Sequence, residues 1–167
     1  MNTAFAQRPM QPEDLPFVFD SFWRSYQQTG HTHGIRDVFK ALVSAPFRQL
    51  LEASSPADDA LIATTIVYPK SEPSEIAGYS VHSPRHACLL YLLTKPTYAG
   101  LGVARHLLEQ LPLVEVTLGP SERDRKLVHC FSTAAFARFT KRIELRTVYS
   151  PYLFNRMVWE LQEDTRV

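Results

Sequence analysis

The stretch Leu92-Leu93-Thr94-Lys95-Pro96-Thr97-Tyr98-Ala99-Gly100-Leu101-Gly102-Val103-Ala104-Arg105-His106-Leu107-Leu108 reads as the end of a strand, a tight glycine turn and the start of a helix. Cys88 to Leu93 is an apolar run of strand length, and Pro96 ends it because proline has no N–H for a ladder. Leu101, Ala104, Leu107, Leu108 and Leu111 then recur at helical spacing. Gly100 and Gly102 let the backbone turn sharply and let a ligand approach bare N–H groups. A helix N-terminus behind such a turn suits phosphate. The dinucleotide fingerprint needs a third glycine, and the P-loop needs Gly-Lys-Ser/Thr; neither is present.

Working outward, the chain of 167 residues suggests one domain, long enough to bury roughly 70% of its unfolded surface. At 21% charged residues and a net charge of +1, nothing asks for nucleic acid or an anionic membrane as partner. No apolar run approaches the ~20 residues of a membrane span. Met1 to Met10 lacks an apolar signal core, so a cytoplasmic location is expected. Cys88 and Cys130 sit in apolar, strand-like runs and read as buried, reduced thiols; no metal is expected.

Phe5 to Met10 reads as a first strand, and Pro12, Glu13 and Asp14 as a helix start. Leu15, Val18, Phe19, Phe22, Trp23 and Tyr26 make an apolar stripe that reads as core. Gln27 to Arg36 is a loop carrying His31 and His33. Val38 begins a second helix that Pro46 interrupts, predicting a kink or two short helices. Strands are expected over Asp59–Tyr68 and Glu75–Ser83. Downstream, Leu113–Leu118 is a short strand, Gly119–Lys126 a charged loop and Leu127–Phe131 a strand. A helix with Ala135, Phe136, Phe139 and Ile143 on its inner face follows, then strands Arg146–Tyr149 and Tyr152–Leu161 as a closing hairpin.

The central stretch resembles the acetyl-CoA site of the GNAT superfamily of N-acetyltransferases, whose motif reads Val-x-Pro-x-Tyr-Arg-Gly-x-Gly-Ile-Gly/Ala-Arg-x-Leu-Leu. Pro96, Tyr98, Gly100, Gly102, Ala104, Arg105, Leu107 and Leu108 fit it, and Ala99 stands where the family usually has Arg or Gln. Ile76-Ala77-Gly78-Tyr79 resembles the pattern of the family's third strand. The resemblance implies an α/β fold: a mixed, mostly antiparallel sheet flanked by helices. It implies acetyl-CoA as co-substrate, with direct acetyl transfer to a small-molecule or peptide amine. Leu101, Gly102, Val103, Ala104 and Arg105 would hold the pyrophosphate by backbone N–H groups, with Ala99 and Gly100 shaping the turn. Leu92, Leu93 and Thr94 would bind the pantetheine, and an N–H near Leu92 or Leu93 would serve as oxyanion donor.

A lysine-like amine is only about one part in 2,500 neutral at pH 7, so proton removal matters. The family's acid on the fourth strand has no counterpart, since His86 to Thr94 contains no carboxylate. His86 and Tyr91 are candidates, with His82 and Glu75 nearby. The family's tyrosine acid is replaced by Phe139; Tyr91, Tyr149 and Tyr152 are the alternatives. The loop between the first two helices borders the family's acceptor site, so His31, His33 and Arg36 are expected to touch the acceptor rather than a metal. Arg123, Arg125 and Lys126 read as a solvated loop or as contacts to the 3′-phosphate of CoA. Two other readings stay open: a catalytically inactive GNAT-fold module binding CoA, and a domain that binds a protein through an exposed Phe22/Trp23/Tyr26 face. The acceptor stays open among metabolite, antibiotic, peptide terminus and lysine, and a homodimer is one of the open oligomeric states.

Overall fold

The computed structural model describes residues 4–27, 40–109, 111, 114–117 and 123–165. Its strands are β1 (Phe5–Pro9), β2 (Ala63–Pro69), β3 (Gly78–Ser83), β4 (Cys88–Thr94), β5 (Val114–Thr117), β6 (Arg123–His129) and β7 (Thr147–Tyr149). They order as β1-β2-β3-β4-β6-β5, and β7 also pairs with β6. The β4/β6 and β6/β7 pairs are parallel, the rest antiparallel. The helices are α1 (Leu15–Gln27), α2 (Ala45–Glu52), α3 (Val103–Leu108), α4 (Ala134–Arg142) and α5 (Tyr152–Asp164). The result is the mixed, mostly antiparallel sheet flanked by helices that the resemblance implies. Among the described residues no helix is long and apolar enough to cross a membrane.

Side chains alternate across a strand, so each face of the sheet collects its own core. Ile66, Tyr79, Val81 and Tyr91 meet α1, α2 and α5 through Val18, Phe22, Phe47, Leu50, Leu51, Phe154 and Met157. The aromatic stripe of α1 is core here: Phe22 is fully buried, stacked on Phe47 at 3.8 Å and edge-on to Tyr91 at 5.1 Å. That burial removes Phe22 from any exposed protein-binding face. The other sheet face carries α3 and α4. Val103 and Leu107 pack on Phe5, Val67 and Ala77, while Leu108, Leu111 and Phe136 pack on Leu89 and Leu127.

Gly78 sets how closely α3 sits. A Cβ there would lie 2.6 Å from the Leu93 carbonyl oxygen and 2.7 Å from Val103 Cγ1. The expected Gly-Tyr pattern therefore has a packing cause. Glycine lets the helix press on the strand, and Tyr79 on the opposite face bonds Val18 O at 3.0 Å and Ser21 Oγ at 2.8 Å.

Several sequence expectations are corrected. The closing hairpin does not form: residues from Tyr152 onward are α5, not a strand. Phe154, Met157, Val158 and Leu161 recur at i, i+3, i+4 and i+7, and the single β-branched residue among them leaves little strand preference. Of the two alternatives at Pro46, the described residues show two short helical segments and not a kinked helix: a wider turn at Lys40–Ser44, then α2, which Pro46 opens from its first turn, where no proline N–H is needed. Val38 lies outside the described residues. Arg123, Arg125 and Lys126 belong to β6, paired antiparallel with β5 (Val114↔Lys126, Thr117↔Arg123), and not to a loop. α3 begins at Val103, so Leu101 stays in the turn, 52% exposed.

His82 is a polar residue of the α3 face. It is buried, and among the described residues its Nδ1 has no hydrogen-bond partner. Burial disfavours the imidazolium and lowers its pKa to about 4.

Two stability measurements follow from this packing. Gly78→Ala should lower stability by about 1–3 kcal/mol, as overpacked sites do, in a urea melt; an unchanged midpoint would contradict the close approach of α3. An unfolded histidine titrates near ~6.5, so between that value and about 4 the unfolded chain binds a proton that folded His82 refuses. Stability should therefore fall as pH drops through this window, by on the order of 3 kcal/mol. His82→Leu should remove that part of the pH dependence, and parallel pH curves for both proteins would refute it.

Candidate functional site

The site begins with a strand that loses a neighbour. β4 pairs with β6 only at Cys88↔Val128 and Leu89↔His129, and the last bond is Cys130 N–H to Leu89 O at 2.9 Å. At that point β4 carries a bulge: Val81 faces Tyr91 while His82 faces Leu89, so Leu90 is the extra residue. A bulge bends its strand, and β6 runs out where β4 bends. Beyond it the chain after β6 turns off through Phe131 into α4, capped by Thr133 Oγ1 accepting from Phe136 N–H at 3.1 Å. β4 continues to Thr94 with β3 on one side and, among the described residues, no strand paired on the other, which leaves a gap.

Alternation decides which backbone groups face the gap. Lys95 N–H donates to Ala77 O at 2.9 Å, on the β3 side. Antiparallel partners alternate, so Leu93 and Tyr91 also bond toward β3, and the N–H and C=O of Leu92 and Thr94 point into the gap. Leu92 and Thr94 are thus the open-edge residues of the expected trio; Leu93 packs toward the α1 core.

The glycine turn closes the far end. A single turn at Pro96–Tyr98 follows β4, then Gly100 at φ 82° and Gly102 at φ 88°, both left-handed. Gly102 caps α3, and His106 N–H to Gly102 O at 2.9 Å is the helix's first bond. The amides of Val103, Ala104 and Arg105 have no acceptor inside the helix. Tyr98 stands edge-on to Phe5 at 5.9 Å, and Lys95 pairs with Glu75 at 3.6 Å. The Tyr98 hydroxyl, first, and that lysine hold the Glu75 carboxyl below the usual carboxylate range.

Edge and turn open into one cavity of about 560 Å³. Leu92, Thr94, Ala99, Gly100, Gly102, Val103, Ala104 and Arg105 line one wall. Eight of the ten expected cofactor residues are therefore gathered, while Leu93 and Leu101 do not line it. The facing wall is α4, through Thr133, Ala135, Phe136, Phe139, Arg142 and Ile143. Phe139 does face the cavity, with the Arg142 guanidinium over its ring at 5.7 Å. Arg142 is the cation the sequence reading did not single out for a cofactor.

The expected catalytic groups scatter. Tyr91 is buried under α1, its hydroxyl paired with Ser25, and burial pushes its pKa up. His86 Nε2 lies 3.0 Å from Glu160 Oε2, tying the β3–β4 turn to α5. Tyr149 ends β7 at 57% exposure, and Tyr152 opens α5 at 82%. His31, His33 and Arg36 lie outside the described residues. Cys88 and Cys130 are free, buried thiols with Sγ atoms 4.0 Å apart. Among the described residues no three His, Cys, Asp or Glu side chains gather as a metal would require.

One buried histidine is not marked by any sequence motif. His129, at the end of β6, is 4% exposed and sits in register between Leu89 and Tyr149. Its ring lies 5.1 Å from Phe136, a cavity residue, and 5.5 Å from Tyr149. Leu127 and His129 are alternate positions on one face of β6, whereas Phe131 lies past the end of the strand and packs in the α1 core.

No family model and no curated protein matches the chain. Among solved structures it is similar to a GCN5-related N-acetyltransferase from Rhodopseudomonas palustris, described as an aminotransferase, class-II (TM-score 0.45, 20% identity, 64% of this chain and 62% of that one). The chain thus spans less than two thirds of that protein's length. It is also similar to a protein from Corynebacterium glutamicum ATCC 13032 described as histone acetyltransferase HPA2 and related acetyltransferase (0.39, 16%, 64% and 69%). A third is AAC(6')-Iy in complex with the bisubstrate analog CoA-S-monomethyl-acetylneamine (0.40, 18%, 95% and 90%). Likenesses this distant assign no chemistry to the chain.

Proposed function

We propose that this chain binds acetyl-CoA in the cavity between β4 and α4 and transfers the acetyl group to an amine. The supporting observation is that the open edge of β4, the left-handed glycine turn and the first-turn amides of α3 line one continuous cavity. Each part suits one part of the cofactor. The amides of Val103 to Arg105 suit the pyrophosphate, and Arg142 adds a cation on the opposite wall. The pantetheine amides suit Leu92 and Thr94, which offer a strand edge with unpaired donors and acceptors. The Leu92 N–H suits the thioester oxygen, where a fixed donor is worth most as charge develops.

A tyrosine acid is not required by this chemistry. A thiol with pKa near ~8.5 leaves tolerably as thiolate, and general acid catalysis commonly contributes ~10²–10⁴-fold. Phe139 on the cavity wall nonetheless favours a second reading, a module that binds CoA without transfer.

Thermal melting tests the binding shared by both readings. Acetyl-CoA at ~100 times its dissociation constant should add about 2.7 kcal/mol, very roughly 5–11 °C for a chain of this size. Gly102→Val places a branched side chain at φ 88° on the cavity wall, and should abolish the shift while leaving the far-UV spectrum of a folded protein. No shift for the native chain with acetyl-CoA, CoA or longer acyl-CoAs would end both readings. A thermal shift with no CoA release above solvent hydrolysis for any amine in a broad screen would leave only the module.

A further inference from the structure

We propose that a second cavity, on the α3 face of the sheet at the end away from the glycine turn, binds a small primary ammonium compound that also carries a hydroxyl group. This goes beyond the acetyl-CoA reading and does not rest on it. Three observations carry it. The first is place. Gly78 of β3 lies opposite Thr94, beside the turn, whereas His82 lies opposite Leu89, at the far end. There a cavity of about 540 Å³ opens, within the roughly 300–1,000 Å³ of small-molecule sites. Gln7 and Pro9 of β1, Thr65 of β2, His82 of β3 and Leu111 after α3 line it, with Asp58 from the loop before β2. The register explains why they meet. Pro9 lies opposite Thr65 and Ala63 opposite His82, and opposed residues of an antiparallel pair share a face. This cavity shares no lining residue with the one beside β4.

The second is an unpartnered imidazole in the wall. His82 is 9% exposed, and its Nδ1 is sealed from water without a partner among the described residues. Its Nε2 is neither sealed nor bonded among them, so Nε2 is the ring nitrogen that opens on the cavity. Burial lowers the pKa of the ring to about 4, so at pH 7 the imidazole is neutral, with one nitrogen a donor and the other an acceptor. Half-buried Thr65 lines the same wall, and its hydroxyl also donates and accepts. A ligand hydroxyl does both and so satisfies either tautomer.

The third is charge. Arg8 also borders the cavity, but its guanidinium is committed elsewhere. Nη2 donates to Asp14 Oδ1 at 2.9 Å, and Nη1 donates to Asp14 Oδ2 and Pro9 O. Its charge is cancelled there. The Asp58 carboxylate is exposed at the rim and makes no ion pair among the described residues. The lining therefore carries one uncompensated negative charge, which repels an anion and attracts an ammonium group. A metal ion would lack ligands, since no three His, Cys, Asp or Glu side chains gather among the described residues.

The test adds ethanolamine, aminopropanol and aminopentanol in turn to the native chain at pH 7 and follows the ring nitrogens of His82 by ¹⁵N NMR. At least one amino alcohol should shift His82 Nε2 saturably. The alkylamine that lacks the hydroxyl should bind about fivefold more weakly, the worth of one neutral hydrogen bond. The diol that lacks the charge should also bind more weakly. Asp58→Asn should weaken the amino alcohol roughly two- to fivefold, as loss of an exposed ion pair does. His82→Leu, followed by calorimetry, should bind the amino alcohol and the alkylamine alike. No saturable shift at His82 in the native chain, a readout that needs no variant to fold, would overturn the proposal. So would a diol or alkylamine that binds as well as the amino alcohol, or Asp58→Asn binding as tightly as the native chain.

Discussion

The bulge at Leu90 is the constraint on which the rest of this structure depends. One extra residue in β4 means that β3 and β4 stay paired while β4 and β6 cannot. Backbone polar groups are expensive to leave unpaired away from water, so a strand edge opened inside a fold is a place where a ligand completes the ladder. Everything that gives the gap a shape follows from that edge. α4 forms its far wall because the chain must leave β6 at Cys130, and Thr133 caps the helix three residues later. The glycine turn closes the outer end because Pro96 stops β4 while its edge is still open.

The two sheet faces divide the work. The α1, α2 and α5 face is a packed aromatic core, with Phe22, Phe47, Tyr79, Tyr91 and Phe131 in mutual ring contact. Tyr91 belongs to this scaffold, its hydroxyl satisfied by Ser25, which leaves little freedom for proton traffic. The α3 and α4 face is thinner and holds the cavity. Gly78 matters to it because α3 must lie close to β3 for its first turn to border the open edge. His129 lies on this second face, against Phe136 of α4.

What was legible in the sequence follows backbone chemistry. Pro96 fixes its own φ, and Gly100 and Gly102 permit the left-handed φ of a tight turn, so the turn could be read from residue types alone. Periodicity located α1 and α4 for the same reason. α5 reads as the second strand of a hairpin after Ser150-Pro151, although the helical stripe of Phe154, Met157, Val158 and Leu161 is present in the sequence. The site residues were legible in proportion to their dependence on backbone. The turn and the β4 edge came through, while the point where β4 and β6 part did not, since it lies in a parallel pairing between residues forty positions apart that no local pattern encodes. Arg142 is a similar case: nothing in its local sequence marks it, yet it lines the cavity wall in the fold.

The central claim is that the open edge of β4 is a ligand's hydrogen-bonding partner. Amide hydrogen exchange, resolved by residue, tests it most directly when acetyl-CoA is added to the native chain. The account predicts slowed exchange at Leu92 and Thr94, whose N–H groups face the gap, and at Val103 to Arg105, with Leu93 already protected by β3 in the free protein. Protection that appears elsewhere on the chain, with Leu92 and Thr94 exchanging as freely as before, would contradict it.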